Sequence, residues 1–416
     1  MLDEKPAITD LASFAKTEPK NVQAYIDRVT SLEFFADDAS HHGLFRGLKF
    51  PNLEAIWLDA SDDNDSASLE PYLQPKLKRF VFYGGPISDA FLQKLQVSCP
   101  FLEELLIDNP RDLITPDGFL QFLHGANNLK KVSVMYGMNR AINESVIVAL
   151  VTKPGLEILE FREPITADLA SRIITERSRH GADGTPLPQL RELICVAEPG
   201  GLANLLPHLS NLTRLEATIV YEGSPSAEVQ DCVIHGIGAH CVSLRTLKLE
   251  YKAAEGHRIH IPSEALVKLP QGLNKLEGLS ISGNGIEAPG FGDRQFADLM
   301  QARPNLKILH LRFTCDLTES ALIEVAKSCG TILAELELEG TYNLLNLRES
   351  NVLFPQLASI ELGELASSSS VADDAIATEA ADIAQLLRKV APKLEYFDVI
   401  SGNPISDMVS DELDEL

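Results

Sequence analysis

The chain of 416 residues holds few arrangements of side chains able to do chemistry. Cys232-x-x-His235 followed by His240-Cys241 offers four ligands of the kind zinc prefers. Positions 235 and 240 fall poorly on one helical face, however, and the spacing matches no common zinc module, so packing is the better reading. His257-x-x-His260 beside Glu255 is a weaker version of the same idea. Gly283-Asn284-Gly285-Ile286-Glu287-Ala288 spells G-x-G-x-x-A, the pattern that carries a strand into a helix beneath a dinucleotide pyrophosphate. Pro289-Gly290 interrupts the helix this requires, and Arg312 stands where an acidic residue should end the next strand. The segment therefore reads as a turn after a strand. The chain contains no G-x-x-x-x-G-K-[ST] loop, H-E-x-x-H helix or G-x-S-x-G elbow. These residues predict a protein that is not an enzyme, with no catalytic, cofactor or metal site.

Composition narrows the partner. Sixty acidic residues against 36 basic leave a net charge of −24, which opposes nucleic acid and anionic lipid as ligands. No apolar run is long enough to span a bilayer, so no membrane is expected. Met1-Leu-Asp-Glu-Lys-Pro has neither the basic start nor the apolar stretch of a secretory signal. Leu413-Asp414-Glu415-Leu416 resembles an ER-retention ending but lacks its first residue, and reads as acidic tail. Six scattered cysteines form no disulfide framework and suit a reducing compartment, cytoplasmic or nuclear.

The elements that would position any site emerge from internal periodicity. Apolar residues at i, i+3 and i+5 recur as Leu53-Ile56-Leu58, Leu77-Phe80-Phe82, Leu102-Leu105-Ile107 and Leu129-Val132-Val134. The pattern continues at Leu156, Leu190, Leu212, Leu244, Leu276, Leu306, Leu333, Leu357 and Leu394, with a weaker first copy at Val29-Leu32-Phe34. Fourteen copies between Val29 and Leu394 give a mean spacing of about 28 residues, within the leucine-rich repeat range of about 20 to 29. The i+3 and i+5 side chains alternate inward on a short strand, and each unit buries its face only against its neighbours. Between them SDAFLQKLQVSCP, TPDGFLQFLHG, NESVIVALVTK and TESALIEVAKSC carry helix-period apolar faces, with Ser88 or Asp89 as an N-cap. The expected fold is an α/β leucine-rich repeat solenoid, a horseshoe with a parallel inner sheet and outer helices. Residues 1–21 are expected as a cap, 22–400 as the repeat domain and 401–416 as an acidic tail. The long intervals hold a turn-rich loop from Arg177 to Pro188, then Ser367 to Ser370 with an Ala-rich helix from about Ala372 to Val390.

Several units read further. Ile87-Ser88-Asp89-Ala90-Phe91-Leu92 with Cys99-Pro100-Phe101-Leu102, and Leu317-Thr318-Glu319-Ser320-Ala321-Leu322 with Cys329, resemble the cysteine-containing repeat of F-box/LRR proteins, and the irregular spacing is similar to that of fungal members. Cys241-Val-Ser-Leu244 keeps only the end of that unit. The resemblance implies that Cys99, Cys241 and Cys329 pack against the next strand, and that the context is substrate recognition for cullin-type ubiquitin ligases, with ligase subunits as partners. The first 25 residues contain neither the Leu-Pro start nor the Cys-x-x-Trp-like segment of an F-box. An LRR-type GTPase-activating protein is the competing reading. The intervals of 22 to 37 residues, without a consistent turn Asn, fit it less well.

On each strand the residues at i+2, i+4 and i+6 should point away from the core. That register places Trp57, the only tryptophan, with Arg79, Val81, Tyr83, Leu106 and Met135 on successive strands. An outward apolar and aromatic stripe is the composition of an interface hot spot. An N-terminal helix near Asn21 to Asp27, folded back over it, is the competing account. The same register stacks Glu335, Glu337, Glu339 and Glu361 between strands about 4.8 Å apart, where like charges need a basic partner or solvent. The expected function is binding of another protein by a monomer through this concave face.

Overall fold

The computed structural model describes residues 5–61, 66–111, 113–179, 189–221, 228–254, 256, 258–301, 305–350, 352–366 and 373–415. It contains two compact units, Met1–Pro164 with Asp168–Cys195, and Ile165–Ala167 with Val196–Leu416. Every one of the fourteen repeat copies carries a strand, and the strands pair in parallel in chain order within each unit. The architecture is α/β, a leucine-rich repeat solenoid.

In the first unit α1 (Ile8–Thr17) and α2 (Val22–Ile26) precede β1 (Ser31–Glu33), β2 (Ala55–Asp59) and β3 (Arg79–Gly84). Then α3 (Asp89–Ser98), β4 (Glu104–Ile107), α4 (Pro116–Gly125), β5 (Lys131–Val134), α5 (Glu144–Val151), β6 (Ile158–Phe161), α6 (Ala167–Arg179) and β7 (Glu192–Ala197) follow. The i+3 residues form one paired row, Ile56, Phe80, Leu105, Val132, Leu159 and Leu193, all buried. Removing such side chains from water, at about 1.5–3 kcal/mol each, is what holds consecutive repeats together. Of the turn-rich loop, residues 177–179 end α6 and 180–188 lie outside the described residues, as do Ser367 to Ser370.

The second unit runs α7 (Pro199–Leu205), β8 (Arg214–Tyr221), β9 (Glu228–Gln230), α8 (Val233–His240), β10 (Thr246–Ala253), β11 (Arg258–His260), α9 (Ser263–Gly272) and β12 (Gly278–Gly292). It continues with α10 (Asp293–Met300), β13 (Ile308–Asp316), α11 (Glu319–Cys329), β14 (Glu335–Tyr342), β15 (Ser359–Leu365), α12 (Asp373–Val390), β16 (Tyr396–Val399) and α13 (Pro404–Glu415). Its core rows are Leu215, Leu247, Leu279, Leu309, Leu336, Ile360 and, one step up, Ala217, Leu249, Ile281, Leu311, Leu338, Leu362.

The G-x-G-x-x-A segment is not a simple turn. It lies within β12, whose distal half pairs β11 through Ile286 and Glu287, while β11 pairs β9, so the loops build a second small ladder. Gly283 at φ 151° makes this possible, because a Cβ there would lie 2.2 Å from the Tyr251 carbonyl oxygen. Residues 401–416 likewise hold a helix. Ile405 and Val409 of α13 are one turn apart and buried, so the acidic residues ride on an amphipathic helix packed on α12.

Inter-repeat staples explain the Ser/Thr-Asp pattern at the helix starts. Ser88 is the N-cap of α3 but makes no capping bond with its side chain. Asp89 instead reaches the next repeat, where its carboxylate accepts the Thr115 N–H at 2.8 Å and hydroxyl at 2.7 Å, and Thr115 caps α4 through the Gly118 N–H. Asp293 repeats this on Thr318, at 2.9 and 2.6 Å.

Candidate protein-recognition face

In the first unit the outward positions of β1 to β5 line up through the parallel register. Glu33, Trp57, Val81, Leu106 and Ser133 form one row, and Ala55, Arg79, Glu104 and Lys131 the row beside it. Trp57, Leu106 and Met135 are half-buried. Val81 is not an exposed member of the stripe: flanked by Trp57 and Leu106 on neighbouring strands, it is only 7% exposed. Tyr83 is 40% exposed because β3 shifts register there, Asp59 pairing with Gly84 instead.

Arg79 organises this surface. Its Nε and Nη2 donate to Glu104 Oε2 and Oε1, both at 2.6 Å, in a bidentate fork. The hydrogen bond to Glu104 also pushes the Arg79 pKa up. The guanidinium carbon lies 5.5 Å from the Trp57 ring centroid, a cation–π distance. Lys131 pairs with Glu160 at 3.2 Å. A second stack, Arg162 at 4.5 Å over the Tyr136 ring, does not follow from the repeat register. Tyr136 is 48% exposed and lies one position past the last alternating residue, where Asp108 accepts its backbone N–H at 3.1 Å. Its only sequence signal is an aromatic residue directly after a strand. Burial raises the pKa of Asp108 and of Tyr83, the latter further through the nearby charges of Asp108 and Glu33.

In the second unit the acidic residues are arranged differently from a four-rung ladder. Glu337 and Glu361 are direct cross-strand neighbours, and Asp398 follows Glu361. Glu335 instead faces Ser359, and Glu339 falls in the register shift between β14 and β15. Part of the basic partner expected from outside is supplied by the chain. Arg312 reaches Glu361 at 2.9 Å and Glu337 at 3.8 Å, while His310 Nε2 lies 3.5 Å from Glu335 and Nδ1 3.7 Å from Glu337. Burial lowers the His310 pKa, which favours the neutral imidazole and leaves Arg312 as the main counter-charge. Burial also raises Glu337, Glu339 and Glu361, against the pull of Arg312.

The cysteines behave as packing groups. Cys99, Cys195, Cys241 and Cys329 are buried, and desolvation pushes each thiol up to about 12. Cys232 is exposed at the start of α8 whereas Cys241 is buried at its end, so the two do not share a site. His257 and Glu255 lie outside the described residues. Among the described residues no group of three or more His, Cys, Asp and Glu is placed to hold a metal ion, and no helix is long and apolar enough to cross a membrane.

No protein-family model matches the chain. No curated protein matches it in sequence. Among solved structures, the crystal structure of the Rad7 and Elc1 complex in yeast contains a chain that is 18% identical. The match covers 75% of this chain and 79% of that one, with a TM-score of 0.44. The leucine-rich repeat-containing protein LegL7 from Legionella pneumophila is 10% identical over 93% of this chain and 98% of its own, with a TM-score of 0.27.

Proposed function

We propose that the chain is a non-catalytic recognition protein that binds another protein through the exposed sheet face of its first unit. The observation that carries this reading is the Trp57–Arg79–Glu104 stack beside the exposed Tyr83 and Tyr136, with Leu106 and Met135 between them. Tryptophan, tyrosine and arginine clustered on a surface are the residue types that dominate binding energy. The acidic strip Glu335, Glu337, Glu339 and Glu361 is the second contact region, for basic side chains that Arg312 does not replace. Substrate selection for a cullin-type ubiquitin ligase, in the cytoplasm or nucleus, is the setting implied by the cysteine-containing repeats. The chain then works as a monomer, without nucleic acid or membrane.

The test is affinity purification with mass spectrometry on the full chain and on the Trp57→Ala/Tyr83→Ala variant. Specific partners should disappear with the variant while circular dichroism stays unchanged. Undiminished capture refutes the assignment of this face. Cullin-adaptor subunits among the captured proteins would support the ligase setting, and their absence would count against it.

A further inference from the structure

Among the described residues Trp57, Tyr83 and Tyr136 stand at the exposed face of the first unit, with Phe35 at the outward position of the first repeat, and two of them, Trp57 and Tyr136, already carry a cation from the chain itself. Arg79 lies over Trp57 and Arg162 over Tyr136. Tyr83 has no such partner among the described residues. Around it lie carboxylates that also lack a direct counter-ion. Arg79 is committed to Glu104 and Lys131 to Glu160, whereas Glu33, Asp59 and Asp108 have no ion-pair partner among the described residues. Arg162, stacked on Tyr136, acts on Asp108 only through space. Asp59 and Asp108 each engage Oδ1 with a backbone N–H, of Ser61 and Tyr136 respectively. The Met135 backbone also hydrogen-bonds the Asp108 carboxylate, and neither carboxylate holds an ion pair among the described residues.

From this deficit we infer that the occupant of the face is a basic, extended segment of another protein. It places an arginine or lysine over Tyr83 among Glu33, Asp59 and Asp108 while its apolar residues rest on Trp57 and Leu106. The inference rests on the protein-recognition reading and gives the partner a chemistry. An aromatic ring flanked by carboxylates attracts a cation from both its face and its rim. An acidic or nucleic-acid ligand would meet three like charges. Crossing from β1 to β4 spans about 14 Å, which four or five extended residues cover at about 3.3 Å each. The influence of Asp108 and Glu33 on the Tyr83 hydroxyl places both charges within electrostatic reach of the ring.

The experiment pans a phage-displayed library of random peptides against the full chain. Affinities of the selected peptides are then measured by fluorescence anisotropy, with the emission of Trp57, the sole tryptophan, reporting contact at the face. Selected peptides should carry an arginine or lysine beside aliphatic residues. They should bind the Glu33→Gln/Asp108→Asn variant about tenfold more weakly, the loss expected from two solvent-screened charge pairs. Binding should also fall as salt rises from about 0.05 to about 0.5 M. The amide oxygen that Asp108→Asn introduces can still accept the Tyr136 N–H, and Glu33→Gln alone, at an exposed position, checks the result independently of folding. Neutral or acidic peptides that depend on Trp57 overturn the basic partner and leave the recognition face standing. Peptides indifferent to both Trp57→Ala and the charge variant overturn both readings. Failure to select any peptide overturns the basic-segment inference.

Discussion

The Arg79 fork can be weighed directly against the face it organises. Arg79 and Glu104 side chains are 41% and 36% exposed, so the pair belongs to the surface class worth about 0.2–1 kcal/mol. Two bonds at 2.6 Å in fork geometry put it at the upper end of that range. The stack on Trp57 adds about 0.5–1 kcal/mol. Arg79→Ala should therefore destabilise the first unit by about 1–2 kcal/mol. A double-mutant cycle of Arg79→Ala with Glu104→Ala should return a coupling of about 0.5–1 kcal/mol that shrinks at high salt. Arg79→Lys should recover less than half of the loss, because an ammonium cannot match both carboxylate oxygens or stack flat on the indole. Urea unfolding followed by Trp57 emission measures each value, since the only tryptophan in the chain sits in this stack. A coupling indistinguishable from zero, or a lysine variant as stable as the native chain, would refute the fork as the organiser of the face.

Three further outcomes are expected. Asp293→Ala removes two charge-assisted bonds to Thr318 from a half-buried site and should cost about 1–3 kcal/mol in chemical denaturation, with Asp293→Asn intermediate; a loss below about 0.5 kcal/mol would show that the staple between repeats is idle. Glu339 is held above its ordinary pKa by burial, so the unfolded chain ionises first as pH rises, and stability falls from the ordinary glutamate range up to the folded value. Glu339→Gln should thus stabilise the chain by about 0.2–1 kcal/mol near pH 7, a small figure because solvent still screens the site, and do nothing near pH 3. Equal effects at both pH values would contradict this. Of the six thiols, Cys232, the exposed one, should react first with a thiol reagent in the native state, ahead of the half-buried Cys315, and Cys232→Ser should remove that fast signal. Because burial and Asp231 also raise its pKa, the rate should climb with pH. Rapid labelling of Cys99 or Cys241 would disprove their packing role.

The repeat architecture was legible in the chain because each strand needs only local alternation and each repeat buries its leucines against its neighbours. Ile56, Leu105, Leu247 and Leu336 are buried where the i+3 rule puts them. The helices at SDAFLQKLQVSCP and TESALIEVAKSC begin and end close to where apolar period and capping residues place them. The same alternation misjudged Val81, because a half-exposed position closes when bulky Trp57 and Leu106 stand on both adjacent strands. It also missed Tyr136, which lies beyond the last alternating residue.

Side-chain type and period are enough to tell which residues form the core, how many repeats the chain carries and that its charge is acidic. Which of those charges cancel is settled in the folded chain. Arg79 chooses Glu104, Arg312 chooses Glu361 and Glu337, and Glu33, Asp59 and Asp108 are left without an ion-pair partner among the described residues. The pairs join residues 25 to 49 positions apart, on adjacent strands for Arg79 with Glu104 and Arg312 with Glu337 and across β14 for Arg312 with Glu361, within the few ångströms over which Coulomb attraction is strong.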